Sequence, residues 1–525
     1  MNYAEVYNPK STDQNKPIPG RSDQVKNNAG GYVFGVDDMA MLHRFLILGS
    51  ESATYYCSRD AAIIKNAKCV QRCIEADGIK TVNAILDVSF RGLAPKNDPA
   101  VFALAMCAGA KDVDVRRYAT QCMPKVCRTG TDLFLFMESV KNFRGRGKTL
   151  QRSMRDWYLG KAPEDLAYQV VKYQNRNSWS HRDVLRLAKP GALVKLHEHS
   201  AIFEWITKGS VAGTPPIIHA YEEAKTCDRK RLMCLIAEFG LTREMIPTKW
   251  QTDPGVWGAL LEKMPLTAMI RNLATMTRVG LLTQTSSETS AVIKKLGDSN
   301  RMRVSRVHPA AALMALGVYA SGHSVKGDHQ WIPVQKIIDA LDEAFYAAFA
   351  NVGQSNTRTM LAVDVSGSMD SGTVSGTHLS PRAVAAAMAM VAMKANPNYH
   401  IMGFSDELVD LPISPRQRLD QVAEIMRRVP MGGTNCALPM VYAAEANEPV
   451  DMFIVYTDNE TRSSRPHPVQ VLEKYRQKTG INAKLVVVAI TSTGFTIADP
   501  KDPGTMDVVG FDASAPQAIS EFSRG

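Results

Sequence analysis

The chain has 525 residues, with 62 Lys or Arg against 52 Asp or Glu and a net charge of +10. That length exceeds what one hydrophobic core usually serves, so two or three domains are expected. No apolar run approaches a membrane span and residues 1–5 lack the basic-then-apolar order of a signal peptide, which argues against a membrane or secreted protein and for a cytoplasmic one.

Nine cysteines, an odd number scattered along the chain, suit a reducing compartment better than a disulfide framework. Cys69, Cys73, Cys122 and Cys127 have spacings that fit helix faces better than a zinc knuckle, and no HExxH pair occurs, so no zinc or hydrolytic metal centre is expected. Charge is uneven. Residues 1–350 carry 47 Lys or Arg and 34 Asp or Glu, whereas residues 351–525 carry 15 and 18. The first region is therefore expected to meet an acidic partner.

Residues 1–30 are polar, rich in Lys, Asn, Pro and Gly and free of periodicity, and read as an arm ordered only by docking. From Asp37, apolar residues recur at helical intervals to about Phe349, for example over 99–107, 131–140, 163–174, 181–188 and 265–273. Several of these segments open with proline, whose missing N–H is harmless in a first turn. A succession of short helices without strand-like alternation predicts an α-solenoid over 31–351, although no repeat of fixed length is visible.

Within it, residues 141–195 hold thirteen Lys or Arg against four acids. Arg144, Arg146 and Lys148 form a flexible basic loop suited to RNA phosphates, and Lys172, Arg176 and Arg182 extend the patch. A solvated helix face is the plainer reading of such a run. Ser180 and Asp183 have capping-box spacing, which puts His181 and Arg182 in a first helical turn, where cations are unfavourable unless an anion docks there.

The polar stretch 352–358 is the expected hinge. Beyond it, apolar runs at 360–364, 400–404, 452–456 and 485–490 alternate with helical stretches at 382–394 and 419–429, the pattern of a doubly wound parallel sheet over 359–525. The first run ends in Asp364, Val365, Ser366, Gly367, Ser368, a DxSxS spacing that sets a carboxylate and two hydroxyls on one side of a turn. Such oxygens suit Mg²⁺ or Mn²⁺, with Ca²⁺ the poorer fit, while capping serines in an ordinary turn are the alternative. Thr434 follows in a glycine loop, and Asp458 ends a second apolar run. Together these five residues resemble the von Willebrand factor A domain and its metal-ion-dependent adhesion site (MIDAS). Asn435 stands where an acidic residue often follows the threonine, which lowers the local negative charge.

A basic helical region followed by such a domain narrows the field, and longer strings narrow it further. Tyr173 with Trp179, Ser180, His181, Arg182 and Asp183; Met264, Pro265, Leu266 and Thr267; Phe404, Ser405, Asp406 and Glu407; and the segment from Gly494 to Pro500 are collinear with the Ro autoantigen family. The chain resembles a compact bacterial member of it, with a TROVE module before the A domain.

The resemblance implies a ring of HEAT-like repeats that binds small noncoding Y RNAs on its outer basic surface. It also implies that the single-stranded 3′ ends of defective or precursor RNAs enter a central hole. Members are RNA chaperones or tethers in RNA quality control or processing, not enzymes, and bacterial ones are linked to 3′-to-5′ exoribonucleases. A monomeric protein is expected. Around 189–250 the chain is shorter than animal members, so contacts there do not carry over.

His181 matches the family motif as a Y RNA contact, with Lys172 and Arg176 assigned to the outer surface by proximity. Arg271 and Asn272, which follow the Met264 string, and Arg303, Arg306 and His308, which precede a helix at Pro309, are the candidates for the hole. Two other functions compete. A metal-dependent phosphoesterase would lack an evident His or Lys acid or base. A scaffold without RNA would instead take a partner's carboxylate on the metal.

Overall fold

The computed structural model describes residues 11–49, 59–143, 147–188, 199–305, 307–324, 328–348, 355–371, 374, 379–430, 432–510, 512 and 514–524. Arg144, Arg146 and Arg306 lie outside the described residues, as does the start of the expected hinge; of Arg303 only its place in the helix Ser299–Val304 is described.

Helices run in succession from Asp38–Leu48 to Gln335–Ala347. The first is capped by Asp37, whose carboxylate accepts the Ala40 N–H at 2.7 Å. Helices pack mainly on others close by in the chain, as Asp98–Ala108 does on Arg59–Arg91, Val113–Val126 and Gly130–Val140, and as Pro309–Ser321 does on Gln335–Ala347. The expected cysteines are core thiols: Cys69, Cys73, Cys122 and Cys127 are all buried. Among the described residues no helix is long and apolar enough to cross a membrane.

The C-terminal domain is built on strands β5 (Thr359–Asp364), β6 (Tyr399–Phe404), β7 (Leu408–Asp410), β8 (Met452–Thr457), β9 (Lys484–Ala489) and β11 (Thr505–Val509). Their order is β11-β9-β8-β5-β6-β7, all parallel except β7, which is antiparallel to β6. β5 and β8 are buried along their full length, which is why both read as unbroken apolar runs. Helices Pro381–Ala395 and Leu419–Arg428 pack against each other beside this sheet.

This domain grips both ends of the helical succession. At one end, Arg44 is fully buried, donates to the carbonyls of Thr493 and Phe495 at 2.5 and 2.8 Å, and pairs with Asp507 at 2.6 Å. At the other, Pro309–Ser321 packs on Leu419–Arg428, and Asp342 accepts the Leu419 N–H at 2.7 Å. The solenoid is thus closed through the α/β domain.

The N-terminal arm is more integrated than docking alone implies. β1 (Gln24–Lys26) and β2 (Tyr32–Gly35) form a hairpin, and β2 pairs with β10 (Phe495–Thr496) from the far end of the chain. Arg21 pairs with Asp23 at 2.7 Å and with Asp499 at 2.5 Å. β3 (Asn175–Arg176) and β4 (Trp179–Ser180) make a second, two-residue hairpin inside the helical region.

Candidate metal centre and nucleic-acid interface

Three loops meet at the carboxyl edge of the sheet. The first leaves β5 at Asp364, whose Oδ1 accepts the Ser366 N–H at 2.9 Å and whose Oδ2 accepts the Thr457 hydroxyl at 2.6 Å. Ser366 Oγ and Ser368 Oγ stand 3.2 Å apart. The second loop carries Thr434 and is joined to the first where the Gly367 N–H donates to the Gly432 carbonyl at 3.3 Å. A Cβ on Gly432 would collide with the Asp406 carboxylate, so only glycine lets the loop approach.

The third loop leaves β8 at Asp458. Its Oδ1 accepts the Glu460 N–H at 3.0 Å, while its Oδ2 is buried without a hydrogen-bond partner. Burial, then the negative charges of Asp364 and Glu460, push the Asp458 pKa up to about 8. Asp364 is raised too, chiefly by burial. Two crowded carboxylates beside three hydroxyl side chains, one oxygen left unsatisfied, fit a hard divalent cation. Among the described residues no group of three or more His, Cys, Asp or Glu forms an alternative cluster.

The arm roofs part of this edge. Gln14, fully buried, donates to Asn435 Oδ1 at 2.7 Å and accepts from the Thr461 hydroxyl. Glu460 accepts from the Asn28 amide and, at 3.0 Å, from the Ala29 N–H. Glu460 sits two residues beyond Asp458 and was legible as a third carboxylate. Gln14 carried no signal, because its partners lie more than four hundred positions away.

A second feature lies wholly in the helical region. A cavity of about 880 Å³ is lined by residues between Pro95 and Asn272 and by none of the α/β domain. A neighbouring cavity of about 290 Å³ shares Lys96, Arg128 and Arg271 with it. Lys172, Arg176, Arg243 and Lys263 complete seven cations on the larger cavity's wall, against the acids Asp98, Asp132 and Glu244. The Arg176 and Arg271 side chains are exposed and make no hydrogen bond or ion pair among the described residues. Lys172 Nζ lies 5.3 Å from the ring of Tyr173, which also lines the wall. Basic groups with an aromatic face suit a single-stranded polyanion.

This arrangement corrects the division read from sequence. Lys172 and Arg176, assigned to the outer surface by adjacency, line the same cavity as Arg271 and Asn272. Asn272 is mostly committed inside the protein, donating to the Ala268 carbonyl at 2.8 Å and accepting from Arg243 at 3.2 Å. His308 lines the smaller cavity beside Arg271 but is a buried helix cap: Nδ1 accepts the Ala310 N–H at 3.1 Å and Nε2 is 2.9 Å from the Leu93 carbonyl. Outside the cavity, Lys148, Arg152, Arg182 and Arg186 are exposed on two helices that pack together, Lys148–Leu159 and His181–Ala188.

His181 is a clearer correction. The expected capping box is present, with Ser180 and Asp183 bonded reciprocally at 3.0, 2.5 and 3.3 Å. Yet His181 turns inward, is 3 % exposed and has its ring 4.8 Å from Phe134 and stacked 5.9 Å from Trp157. Nδ1 lies 2.8 Å from the Tyr158 hydroxyl. Burial pushes its pKa down to about 3, so no cation stands there and its ring offers no direct contact to RNA.

Two outcomes follow for His181→Ala. Urea unfolding is expected to show a loss of about 3 kcal/mol from the vacated aromatic cage. The unfolded chain binds the His181 proton below about 6.5 and the native one only below about 3, so stability from neutral burial is full above 6.5 and erodes as pH falls between them. The variant is expected to show a shallower decline across that window. An unchanged urea midpoint would contradict the buried placement.

Comparison with known proteins gives the same two-part division. A TROVE domain model matches residues 25–228 and 230–317, and a Ro60 vWA domain model matches residues 358–523. The RNA-binding protein RO60 of Deinococcus radiodurans is 38% identical over 536 residues, covering 100% of this chain and 99% of that protein. The RNA-binding protein RO60 of Caenorhabditis elegans is 34% identical over 587 residues, covering 96% of this chain and 91% of that one. The crystal structure of the Deinococcus radiodurans RO (RSR) protein superposes with a TM-score of 0.70 at 37% identity, covering 93% of this chain and 100% of that one.

Proposed function

Because the chain belongs to the Ro60 family of TROVE and vWA domain proteins, we propose that it is an RNA-binding protein that takes a single-stranded RNA end into the cavity between Pro95 and Asn272. The observation that carries this reading is the cavity wall itself, with seven cations against three acids and Tyr173 as a stacking face. A single strand presents phosphates and open base faces together, whereas an A-form duplex is wider and hides its bases. Lys172, Arg176 and Arg271 hold the strand, and the similarity to two RNA-binding proteins, those of Deinococcus radiodurans and Caenorhabditis elegans, supports RNA as the partner.

Structured small RNA of the Y RNA kind is assigned to the exposed face of Lys148, Arg152, Arg182 and Arg186, outside the cavity. The protein then acts as a monomeric cytoplasmic chaperone or tether in RNA quality control or processing, presenting RNA 3′ ends to a 3′-to-5′ exoribonuclease rather than cleaving them. The three-loop site of the vWA domain holds Mg²⁺ or Mn²⁺ through Asp364, Ser366, Ser368, Thr434 and Asp458. The ion's charge satisfies the crowded carboxylates. Neither the phosphoesterase nor the RNA-free scaffold gains support from a particular observation, since no imidazole or free amine is bonded to these carboxylates among the described residues.

Salt dependence tests the outer face. Removing three phosphate contacts with Lys148→Ala, Arg152→Ala and Arg182→Ala together is expected to lower the log–log salt slope for a structured hairpin by about 2 to 3. Fluorescence anisotropy at several ionic strengths reads it, and an unchanged slope would reduce this face to a solvated surface. Binding of an RNA with an unpaired 3′ tail against the same duplex made blunt tests the cavity.

A further inference from the structure

The cation site is assembled from loops that the sheet alone does not fix relative to one another. Asp364 and Asp458 end adjacent strands, and the Thr457 hydroxyl joins them through Asp364. The Thr434 loop follows a helix, Leu419–Arg428, and shares no strand register with the first loop. It is tied to the third loop, where the Arg462 N–H donates to the Thr434 carbonyl at 3.0 Å, and to the end of β6, where the Asn435 N–H donates to the Ser405 carbonyl at 2.8 Å. Among the described residues its one backbone bond to the first loop, Gly367 N–H to the Gly432 carbonyl, is long at 3.3 Å.

Arg382 spans that gap. It stands at the start of the helix Pro381–Ala395, and its side chain is 2 % exposed. One terminal nitrogen donates to the carbonyls of Val365 and Ser366 at 2.8 and 3.4 Å, inside the first metal loop. The other donates to the carbonyls of Met426 and Val429 at 3.0 and 3.2 Å, where the helix before the Thr434 loop ends. Nε lies 3.1 Å from Asp370 Oδ1, just past Ser368. A planar guanidinium has five N–H groups fixed in a fork, and here the fork is shared between the two loops.

We propose that Arg382 is a positioning residue for the cation site, setting the separation of the Ser366–Ser368 and Thr434 loops so that their hydroxyls can reach one ion. The proposal rests on the metal reading given above. Lysine keeps the charge but has one compact head that cannot reach the carbonyls on both sides. Methionine keeps the stem and loses every bond. Either change leaves the spacing of the first loop and the Thr434 loop to the long Gly367–Gly432 bond, weakening an ion that needs close to octahedral oxygens.

The test is a Mn²⁺ titration of the full-length protein, following free Mn²⁺ by electron paramagnetic resonance, with thermal unfolding measured separately in EDTA. Arg382→Lys and Arg382→Met are compared with Asp364→Ala and with Val391→Ala, a buried change on the same helix that touches neither loop. Both Arg382 variants are expected to weaken Mn²⁺ binding at least about ten-fold, while Val391→Ala loses thermal stability at unchanged affinity. Should the methionine variant not fold, the lysine variant decides. If the parent binds Mn²⁺ and folded Arg382 variants bind it equally well, Arg382 is only a fold residue and the proposal fails while the metal reading stands. If the parent binds no more Mn²⁺ than Asp364→Ala, the metal reading fails and this inference with it.

Discussion

Replacing Lys172, Arg176 and Arg271 together with alanine is expected to abolish the preference for a 3′-tailed RNA over a blunt one. Each single-strand phosphate contact contributes about 0.7 to the salt slope, so three lost contacts cost about fifty-fold in affinity at 0.15 M salt. The three side chains converge on one cavity wall, and Arg176 and Arg271 leave no buried partner behind, so the fold is expected to survive. Anisotropy with tailed and blunt versions of one duplex measures the effect. Binding of a hairpin to the Lys148–Arg186 face is expected to persist. A triple variant that still prefers the tail would remove the cavity from the account.

The second large effect concerns the vWA site. Asp364→Ala is expected to eliminate saturable Mn²⁺ binding, whereas the parent at one hundred times its Kd gains about 2.7 kcal/mol of stability from the ion. Without metal, Asp458 has a folded pKa of about 8 against an ordinary 3.8, so the native state holds a proton that the unfolded chain has lost. Stability associated with that proton is full below about 3.8 and is lost as pH rises through 8. Metal-free protein is therefore expected to be less stable at pH 8 than at pH 6, and Mn²⁺ to reverse the order. Because the cavity draws no residue from this domain, Asp364→Ala is expected to leave RNA affinity nearly intact. Calorimetry with and without Mn²⁺ at the two pH values, and anisotropy on the variant, check both halves.

Much of this fold was legible because its signals are local. β5 and β8 sit in the middle of a parallel sheet, so burial on both faces wrote continuous apolar runs ending in Asp364 and before Asp458. The helix at His181–Ala188 begins where its capping box placed it. What stayed hidden depends on partners far off in sequence. β2 pairs with β10 across more than four hundred residues, and nothing around Tyr32–Gly35 announces a strand whose partner lies near the far end of the chain.

The site residues divide in the same way. Spacing and the resemblance singled out Asp364, Ser366, Ser368, Thr434 and Asp458, and the loops that carry them meet at one sheet edge because strand ends and tight turns are set by nearby chain. Spacing did not say which way a helical side chain faces. His181 starts its helix as expected but packs into Phe134 and Trp157, and only the neighbouring helices decide that. Lys172 and Arg176 are near His181 in sequence, yet Lys172 ends the helix Pro163–Lys172 and Arg176 stands in β3 of the hairpin that follows, and both line the cavity while His181 is buried. Nothing in the sequence marks Arg382, which opens the helical stretch 382–394; its carbonyl partners at Val365 and Val429 are visible only once the loops are folded together.

The proposed function requires that a single-stranded RNA end enter the cavity between Pro95 and Asn272. Photocrosslinking a tailed RNA that carries thiouridine at its 3′ terminus, followed by mass spectrometry of the attached peptides, tests it most directly. The predicted result is attachment at Tyr173 and its neighbours on the cavity wall, lost when the RNA is blunt. Attachment confined to the Lys148–Leu159 and His181–Ala188 helices, with none inside the cavity, would contradict it.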